Sequence, residues 1–149
     1  MGIHIFDCDG VVLDTNHAKV EAIKQTLNMI NSPAIIVSNC VESFRVNFGQ
    51  TRSEHFKRFA DIFFKHGRQD LLLKLAEAES IYTQKVQDLY IRSSVVKETN
   101  RHIKALNWKN KLYVVSASNQ AELRNVLKKK VEYFSEENIF GGPTSKVKN

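Results

Sequence analysis

The sequence predicts an α/β protein, in which an incomplete parallel sheet carries an all-helical subdomain inserted after its first strand. Three observations predict this fold class. An apolar run at residues 2–6 precedes two aspartates and a glycine, as at the carboxyl end of a parallel strand. About 75 residues of helical periodicity follow without a strand pattern. An apolar strand pattern then returns at residues 112–116.

The inserted segment is expected to contain four helices. The first, at residues 16–29, has apolar side chains at helical spacing and is ended by Ser32-Pro33. The others are expected at about 34–47, 53–65 and 69–90. Their apolar and aromatic stripes are more typical of a packed core than of a cofactor site.

After the insert, helix and strand patterns alternate. A helix is expected near residues 95–107, a strand at 112–116, a helix from 120 and a short strand around 138–140. This alternation is typical of a parallel sheet. We therefore expect a core domain formed by residues 1–15 and 93–149, with its last strands missing, and a helical cap formed by residues 16–92. Hinges are expected near Thr15-Asn16 and Arg92-Ser93.

Composition limits the function classes. The 149 residues include no apolar run of the ~20 needed for a membrane helix and no leader, so no membrane partner is expected. Cys8 and Cys40 make no metal or disulfide pattern, and a cytoplasmic location follows.

The net charge of +6 would also suit nucleic-acid binding. Lys128-Lys129-Lys130, however, ends a predicted helix, where cations complement the helix dipole. No recognisable nucleic-acid-binding spacing accompanies it, so no nucleic-acid partner is expected.

Asp7 and Asp9 are the strongest candidate site residues. They follow the first strand directly and precede Gly10, at the end of the sheet where α/β proteins bind ligands. An acidic loop without function is the alternative, but Asp-x-Asp-Gly after an apolar strand, continuing to Asp-Thr, is more specific than that.

The run Phe6-Asp-Cys-Asp-Gly-Val-Val-Leu-Asp-Thr15 resembles the first motif of the haloacid dehalogenase-like hydrolases, in their phosphoglycolate phosphatase and β-phosphoglucomutase branch. The resemblance implies that Asp7 is a nucleophile that becomes an aspartyl-phosphate, and that Asp9 is the general acid and base. It also implies Mg²⁺ held by Asp7 and Asp9, and a substrate contact at Gly10. A hard cation suits this chemistry because it offsets the repulsion between a carboxylate and a phosphoryl group.

The stretch Leu112-Tyr-Val-Val-Ser-Ala-Ser-Asn119 resembles the second motif of the family. The resemblance implies that Ser116 is a catalytic phosphate-binding hydroxyl and that Ala117 and Ser118 bind substrate. A hydroxyl and backbone N–H groups at a helix N-terminus form an anion site. The alternative is an ordinary helix N-cap supplied by Ser118 or Asn119.

Two further segments resemble family motifs. Gly-Gly-Pro before Thr-Ser-Lys146 implies that Lys146 is the lysine that neutralises nucleophile and phosphate, with Lys148 as the alternative. Phe48-Gly-Gln-Thr-Arg52 resembles a cap loop in which Arg52 contacts substrate. Equally, Thr51 or Ser53 would cap the next helix and leave Arg52 on the surface. His55 and His66 are expected to be surface residues.

The fourth family motif, an acidic pair after a further strand, is not found in these residues. We therefore expect a truncated chain with an incomplete metal-ligand set and low catalytic competence. The strand at 2–6 would then be an exposed apolar edge through which the protein self-associates.

The leading hypothesis is a Mg²⁺-dependent phosphatase acting on a small phosphorylated metabolite. A phosphomutase of the same superfamily and a non-catalytic binding module are the alternatives.

Overall fold

The computed structural model describes residues 2–106 and 109–142, which contain three β-strands, seven α-helices and one 3₁₀ helix. The chain divides into two compact units. One, the core unit, comprises the chain up to Asn16 and the chain from Tyr90 onward, and the other, the helical unit, comprises His17–Leu89.

The core unit contains a three-stranded parallel sheet in the order β1-β2-β3. Its strands are β1 (Ile3–Phe6), β2 (Lys111–Asn119) and β3 (Ile139–Gly142). The predicted α/β fold class with a parallel sheet is thereby confirmed. Among the described strands, β1 lies at one edge of the sheet, as expected for a chain that lacks the family's further strands.

Strand β2 is longer than the predicted residues 112–116, because two glycines in β3 let the strands approach closely. A Cβ atom on Gly141 would lie 2.3 Å from Gln120 Cα, and one on Gly142 would lie 2.3 Å from the Ala117 carbonyl oxygen. The register is irregular between Val115 and Asn119. The end of β2 is therefore held against β3 by backbone contact.

The helical unit contains α1 to α4 and most of α5. These helices are α1 (Asn16–Met29), α2 (Ala34–Val46), α3 (Arg52–Lys65), α4 (Gln69–Leu73) and α5 (Leu75–Arg92). No helix in the described part of the chain has the length and apolar character required to cross a bilayer.

The prediction of a single helix at 69–90 is wrong, because the structure has two helices that are separated at Lys74. The Lys74 N–H bonds to the Leu71 carbonyl, three residues back, so that α4 ends in a tight turn. Helical bonding resumes when the Ala78 N–H bonds to the Lys74 carbonyl at 2.9 Å. No proline or glycine marks this break in the sequence.

Helix α3 begins with a capping box. Thr51 Oγ1 accepts from the Glu54 N–H at 3.3 Å, and the Glu54 carboxylate accepts from the Thr51 N–H at 2.7 Å. The N-cap expected as one alternative for Thr51 is therefore present. Phe56, Phe59 and Phe63 are buried on this helix, whereas Phe64 is exposed and does not belong to the core.

The prediction that His55 is a surface residue is wrong, because its side chain is 4% exposed. Its ring packs on Phe44, with centroids 4.4 Å apart. The apolar stripe of α3 is wide enough to include the position before Phe56. His66 is exposed, as expected.

The helices of the core unit are α6 (Lys97–Leu106) and α7 (Gln120–Lys130), and a 3₁₀ turn at Glu136–Asn138 precedes β3. Phe6 of β1 contacts His102 of α6 and Phe134 beyond α7, with ring centroids 6.3 and 6.0 Å apart. These contacts place the buried core on one face of the sheet, together with Leu112, Val114, Leu127 and Ile139.

The other face of the sheet is apolar and accessible in the described part of the chain. Ile3 and Ile5 point to this side, and the register sets Ile5 beside Tyr113 and Val115 beside Phe140. Ile3 and Ile5 are 68% and 67% exposed, and Val115 and Phe140 are 47% and 44% exposed. We call these five side chains the open face.

Candidate active site

Asp7 and Asp9 lie in the tight loop that follows β1. Asp7 Oδ1 accepts a hydrogen bond from the Cys8 N–H at 2.7 Å. The Cys8 carbonyl accepts from the N–H groups of Val12 and Leu13, both at 2.9 Å. Because Cys8 is fully buried, its side chain anchors the loop and the carboxylates flank that anchor.

Gly10 determines the path of this loop. It has a φ of +77°, and a Cβ atom on it would lie 2.2 Å from Asn16 Nδ2. The Gly10 N–H bonds to the Leu13 carbonyl at 2.7 Å. A side chain at this position would be strained and would collide with Asn16, so glycine is required for the backbone turn.

The Asp9 carboxylate is surrounded by three hydroxyl groups. Thr15 donates to Oδ1 at 2.6 Å, and Ser118 donates to Oδ2 at 2.9 Å. Tyr90 Oη lies 3.2 and 3.3 Å from the two carboxylate oxygens and 2.7 Å from Ser118 Oγ. Thr15 and Tyr90 are fully buried and Asp9 is half-buried, so these contacts orient a carboxylate that keeps some access to solvent.

The sheet brings the two predicted motifs together. Phe6 of β1 pairs with Val114 of β2, so that Asp9 and Ser118 meet although they are 109 residues apart in the sequence. The Ser118 N–H donates to Ser116 Oγ at 3.1 Å. The carboxyl ends of β1 and β2 therefore form one polar site, as the strand pattern indicates.

The start of α7 is capped by Asn119, whose Oδ1 accepts from the Glu122 N–H at 3.1 Å. The N-cap considered as the alternative for the second motif is therefore present. It uses Asn119 and leaves the Ser118 hydroxyl on Asp9. Ala117, in turn, lies with its carbonyl against Gly142.

Tyr90 was not expected at the site. Val86 and Tyr90 follow Tyr82 at four-residue spacing, and all three are buried, which is typical of a core stripe. The one signal in the sequence is chemical, because a buried tyrosine hydroxyl needs a hydrogen-bonding partner. Thr15 ends the first motif, and the family resemblance implies no role for it.

Two predicted site residues do not belong to the described part of the core unit. Lys146, like Lys148, lies outside the described residues. Arg52 belongs to the helical unit, where Nη1 donates to Thr83 Oγ1 at 2.9 Å. Its guanidinium carbon lies 5.8 Å from the centre of the Tyr82 ring. These contacts hold the Arg52 side chain against α5.

The donor set fits Mg²⁺ in chemistry but is small. Carboxylate oxygens are the ligands that Mg²⁺ prefers, and one or two carboxylates often suffice when substrate phosphate and water complete the shell. Within residues 2–106 and 109–142, no group of three acidic, histidine or cysteine side chains is arranged to hold a metal. Asp7 and Asp9 are therefore a partial set of protein ligands.

Comparisons with known proteins agree with the fold and with the motifs at the ends of β1 and β2. A sequence model described as haloacid dehalogenase-like hydrolase matches residues 3–149. No curated protein matches the sequence. Several solved structures share the fold at low sequence identity.

A Bacteroides fragilis protein described as a haloacid dehalogenase-like hydrolase is 15% identical, with a TM-score of 0.67 over 94% of this chain and 62% of that one. Bacillus subtilis YfnB, described as a HAD-hydrolase bound to magnesium, is 18% identical, with a TM-score of 0.65 over 94% and 64%. A Thermotoga maritima protein described as a β-phosphoglucomutase is 18% identical, with a TM-score of 0.60 over 100% and 64%. The chain thus spans less than two thirds of each of these structures.

Proposed function

Since the chain belongs to the haloacid dehalogenase-like hydrolase family, we propose that it is a Mg²⁺-dependent phosphatase that forms an aspartyl-phosphate on Asp7. Its substrate class is a small phosphorylated metabolite. The observation that carries the proposal is the site at the ends of β1 and β2, where Asp7 precedes an Asp9 carboxylate oriented by hydroxyl groups.

The reaction would proceed in two steps. An Asp7 carboxylate oxygen attacks phosphorus, the ester P–O bond breaks, and the leaving oxygen takes a proton from Asp9. Asp9, now a carboxylate, takes a proton from a water molecule that attacks the same phosphorus. The Asp7–phosphate bond then breaks, releasing inorganic phosphate and restoring both aspartates.

Mg²⁺ would be held by the Asp7 side chain and by Asp9 through its backbone carbonyl, and it would supply positive charge that offsets the repulsion between the carboxylate and the phosphoryl group. The Asp9 carboxylate oxygens already accept bonds from Thr15 and Ser118, which favours the backbone carbonyl over the side chain as the ligand. Such a division leaves the Asp9 carboxyl for proton transfer.

Ser116 would bind the phosphoryl group. Its Oγ accepts from the Ser118 N–H, so that its hydroxyl hydrogen is directed away from that amide. A phosphoryl oxygen is a suitable acceptor at the N-terminal end of α7. On the family resemblance, we assign substrate contacts to Gly10, Ala117 and Arg52, and the neutralisation of nucleophile and phosphate charge to Lys146.

A phosphomutase is the second candidate, favoured by the fold shared with the Thermotoga maritima protein described as a β-phosphoglucomutase. The difference lies in the acceptor, because a mutase returns the phosphoryl group to a sugar and a phosphatase transfers it to water. A binding module without turnover is the third.

We place the protein in the cytoplasm. Cys8 and Cys40 make no disulfide or metal-binding pattern in the sequence, which suits a reducing compartment.

The test is hydrolysis of p-nitrophenyl phosphate with Mg²⁺. Wild-type protein is expected to release product at least about 100-fold faster than Asp7→Asn, because the substituted amide is not a nucleophile. Asp14→Asn is the matched control, since Asp14 lies in the same loop with an exposed side chain. Equal release by wild type and Asp7→Asn would overturn the catalytic proposal, and retained binding of inorganic phosphate would then favour the binding module.

A further inference from the structure

Tyr90 contacts the Asp9 carboxylate from the end of helix α5, a segment that the sequence motifs do not include. It lies near the end of α5, and its hydroxyl is 2.7 Å from Ser118 Oγ. The Ser118 hydroxyl in turn donates to Asp9 Oδ2 at 2.9 Å. Asp9 lies in the loop after β1 and Ser118 lies in β2, whereas the tyrosine hydroxyl comes from the helix that ends the inserted segment.

The distances order these hydrogen bonds. A phenol has one proton, and the contact to Ser118 is shorter than the 3.2 and 3.3 Å contacts from Tyr90 Oη to Asp9. Tyr90 therefore donates chiefly to Ser118, and the Ser118 proton is directed to the carboxylate. In this arrangement Tyr90 acts on Asp9 mainly through Ser118.

The Tyr90 side chain is held rigidly. It is 0% exposed, and the Ser93 hydroxyl donates to the Tyr90 backbone carbonyl at 2.9 Å. Lys130 Nζ donates to the carbonyls of Ile91 and Ser93, which flank the same turn. A buried phenol on a fixed backbone has few alternative rotamers, so its hydroxyl is a well-defined reference point for Ser118.

Hydroxyl partners suit a residue that must both give and take a proton. Each hydroxyl donates and accepts, whereas an ammonium or guanidinium group only donates. The Tyr90–Ser118 pair can donate to Asp9 as a carboxylate and, after rotation of the Ser118 O–H, accept from Asp9 as an acid. The same geometry therefore serves both steps of the proposed reaction.

We propose that Tyr90 is a positioning residue that holds Ser118, and through it the Asp9 carboxyl, in the orientation needed for proton transfer. This inference rests on the proposed phosphatase function. It assigns to the end of α5 a part in the chemistry, beyond its place in the helical packing.

The test compares Tyr90→Phe, which removes only the hydroxyl, with wild type on p-nitrophenyl phosphate and Mg²⁺. We expect kcat to fall about 10-fold while KM changes less than about twofold, because proton transfer and not binding is affected. Tyr113→Phe is the control, since Tyr113 is a half-buried tyrosine of β2 that faces away from the buried core.

A double substitution tests the order of the contacts. Ser118→Ala should lower kcat, and adding Tyr90→Phe should then lower it by much less than Tyr90→Phe lowers the kcat of wild type, because Tyr90 acts mainly through Ser118. Independent effects that multiply would overturn the inference. If Tyr90→Phe does not fold, as judged by its urea midpoint, Ser118→Ala decides the matter, since a kcat equal to that of wild type would remove the route from Tyr90 to Asp9 and overturn the inference.

The outcomes separate the two proposals. Unchanged kcat in Tyr90→Phe, with a wild type that needs Asp7, overturns the positioning role alone. A wild type whose hydrolysis does not depend on Asp7 overturns the phosphatase function and the positioning role with it.

Discussion

The imidazole of His55 lies against the phenyl ring of Phe44, with ring centroids 4.4 Å apart and a tilt of 42° between the planes. His55 Nδ1 is buried without a hydrogen-bond partner among the described residues. Burial lowers the pKa of His55 from 6.5 to about 4, and the positive charges of Arg58 and Lys19 act in the same direction. His55 is therefore neutral in the folded helical unit at neutral pH.

This burial predicts a pH-dependent stability. Between the unfolded pKa of 6.5 and the folded pKa of about 4, the unfolded chain binds a proton that the folded chain does not. The free energy of unfolding should therefore fall by about 2–3 kcal/mol as the pH is lowered through this window. Urea denaturation of wild type and His55→Leu measures it, and the leucine variant should lose this part of the decline.

His17→Leu serves as the control, because His17 is an exposed residue of α1. An equal decline in His55→Leu and wild type would contradict the assignment to His55.

Lys130 stabilises the end of α5. Its Nζ donates to the carbonyl oxygens of Ile91 at 2.9 Å and Ser93 at 2.6 Å. A cation bonded to carbonyls at a helix C-terminus also complements the helix dipole. We expect Lys130→Met to lower the free energy of unfolding by about 1–2 kcal/mol. Lys129→Met, at an exposed neighbour in the same lysine run, should change it by less than about 0.5 kcal/mol. Equal effects at both positions would show that the two hydrogen bonds contribute nothing specific.

Gly141 is required for the close approach of β3 to the start of α7. A Cβ atom there would lie 2.3 Å from Gln120 Cα and 2.6 Å from the Ser118 carbonyl oxygen. Both neighbours are backbone, so Gly141→Ala must displace the strand, and we expect a loss of about 1–3 kcal/mol in thermal or urea unfolding. Gly2→Ala is the comparison, because its nearest neighbour is the end of the flexible Asn110 side chain. A Gly141→Ala protein as stable as Gly2→Ala would contradict the packing described here.

The predictable part of this molecule follows from local pattern. The apolar run before Asp7 predicted β1 and the site at its carboxyl end, and the family and the parallel α/β fold are both confirmed. Asp9 and Ser118 meet because parallel strands bring their carboxyl ends to one edge of the sheet. The catalytic and binding roles of these residues stay predictions.

The remaining features depend on contacts between distant residues. Tyr90 has the helical spacing of a core residue. Its hydroxyl has hydrogen-bonding partners only because the fold brings Asp9 and Ser118 next to it. His55 is buried because Phe44 of another helix packs on it. The helix break at Lys74 is not marked by a glycine or proline in the sequence. Each of these depends on tertiary packing, which helical periodicity does not encode.

The open face predicts self-association through the β1 side of the sheet. Parallel sheets are normally covered on both faces, yet Ile3 and Ile5 are 68% and 67% exposed in the described part of the chain. We propose that a second copy of the chain packs there, and we expect a concentration-dependent dimer in sedimentation velocity.

Ile5→Lys should weaken the dimer at least about 10-fold, because a charge would have to be desolvated at the interface. Leu73→Lys, at an exposed leucine of α4, should leave it unchanged. A protein that is monomeric at every concentration, or equally affected by both substitutions, would rule out this interface.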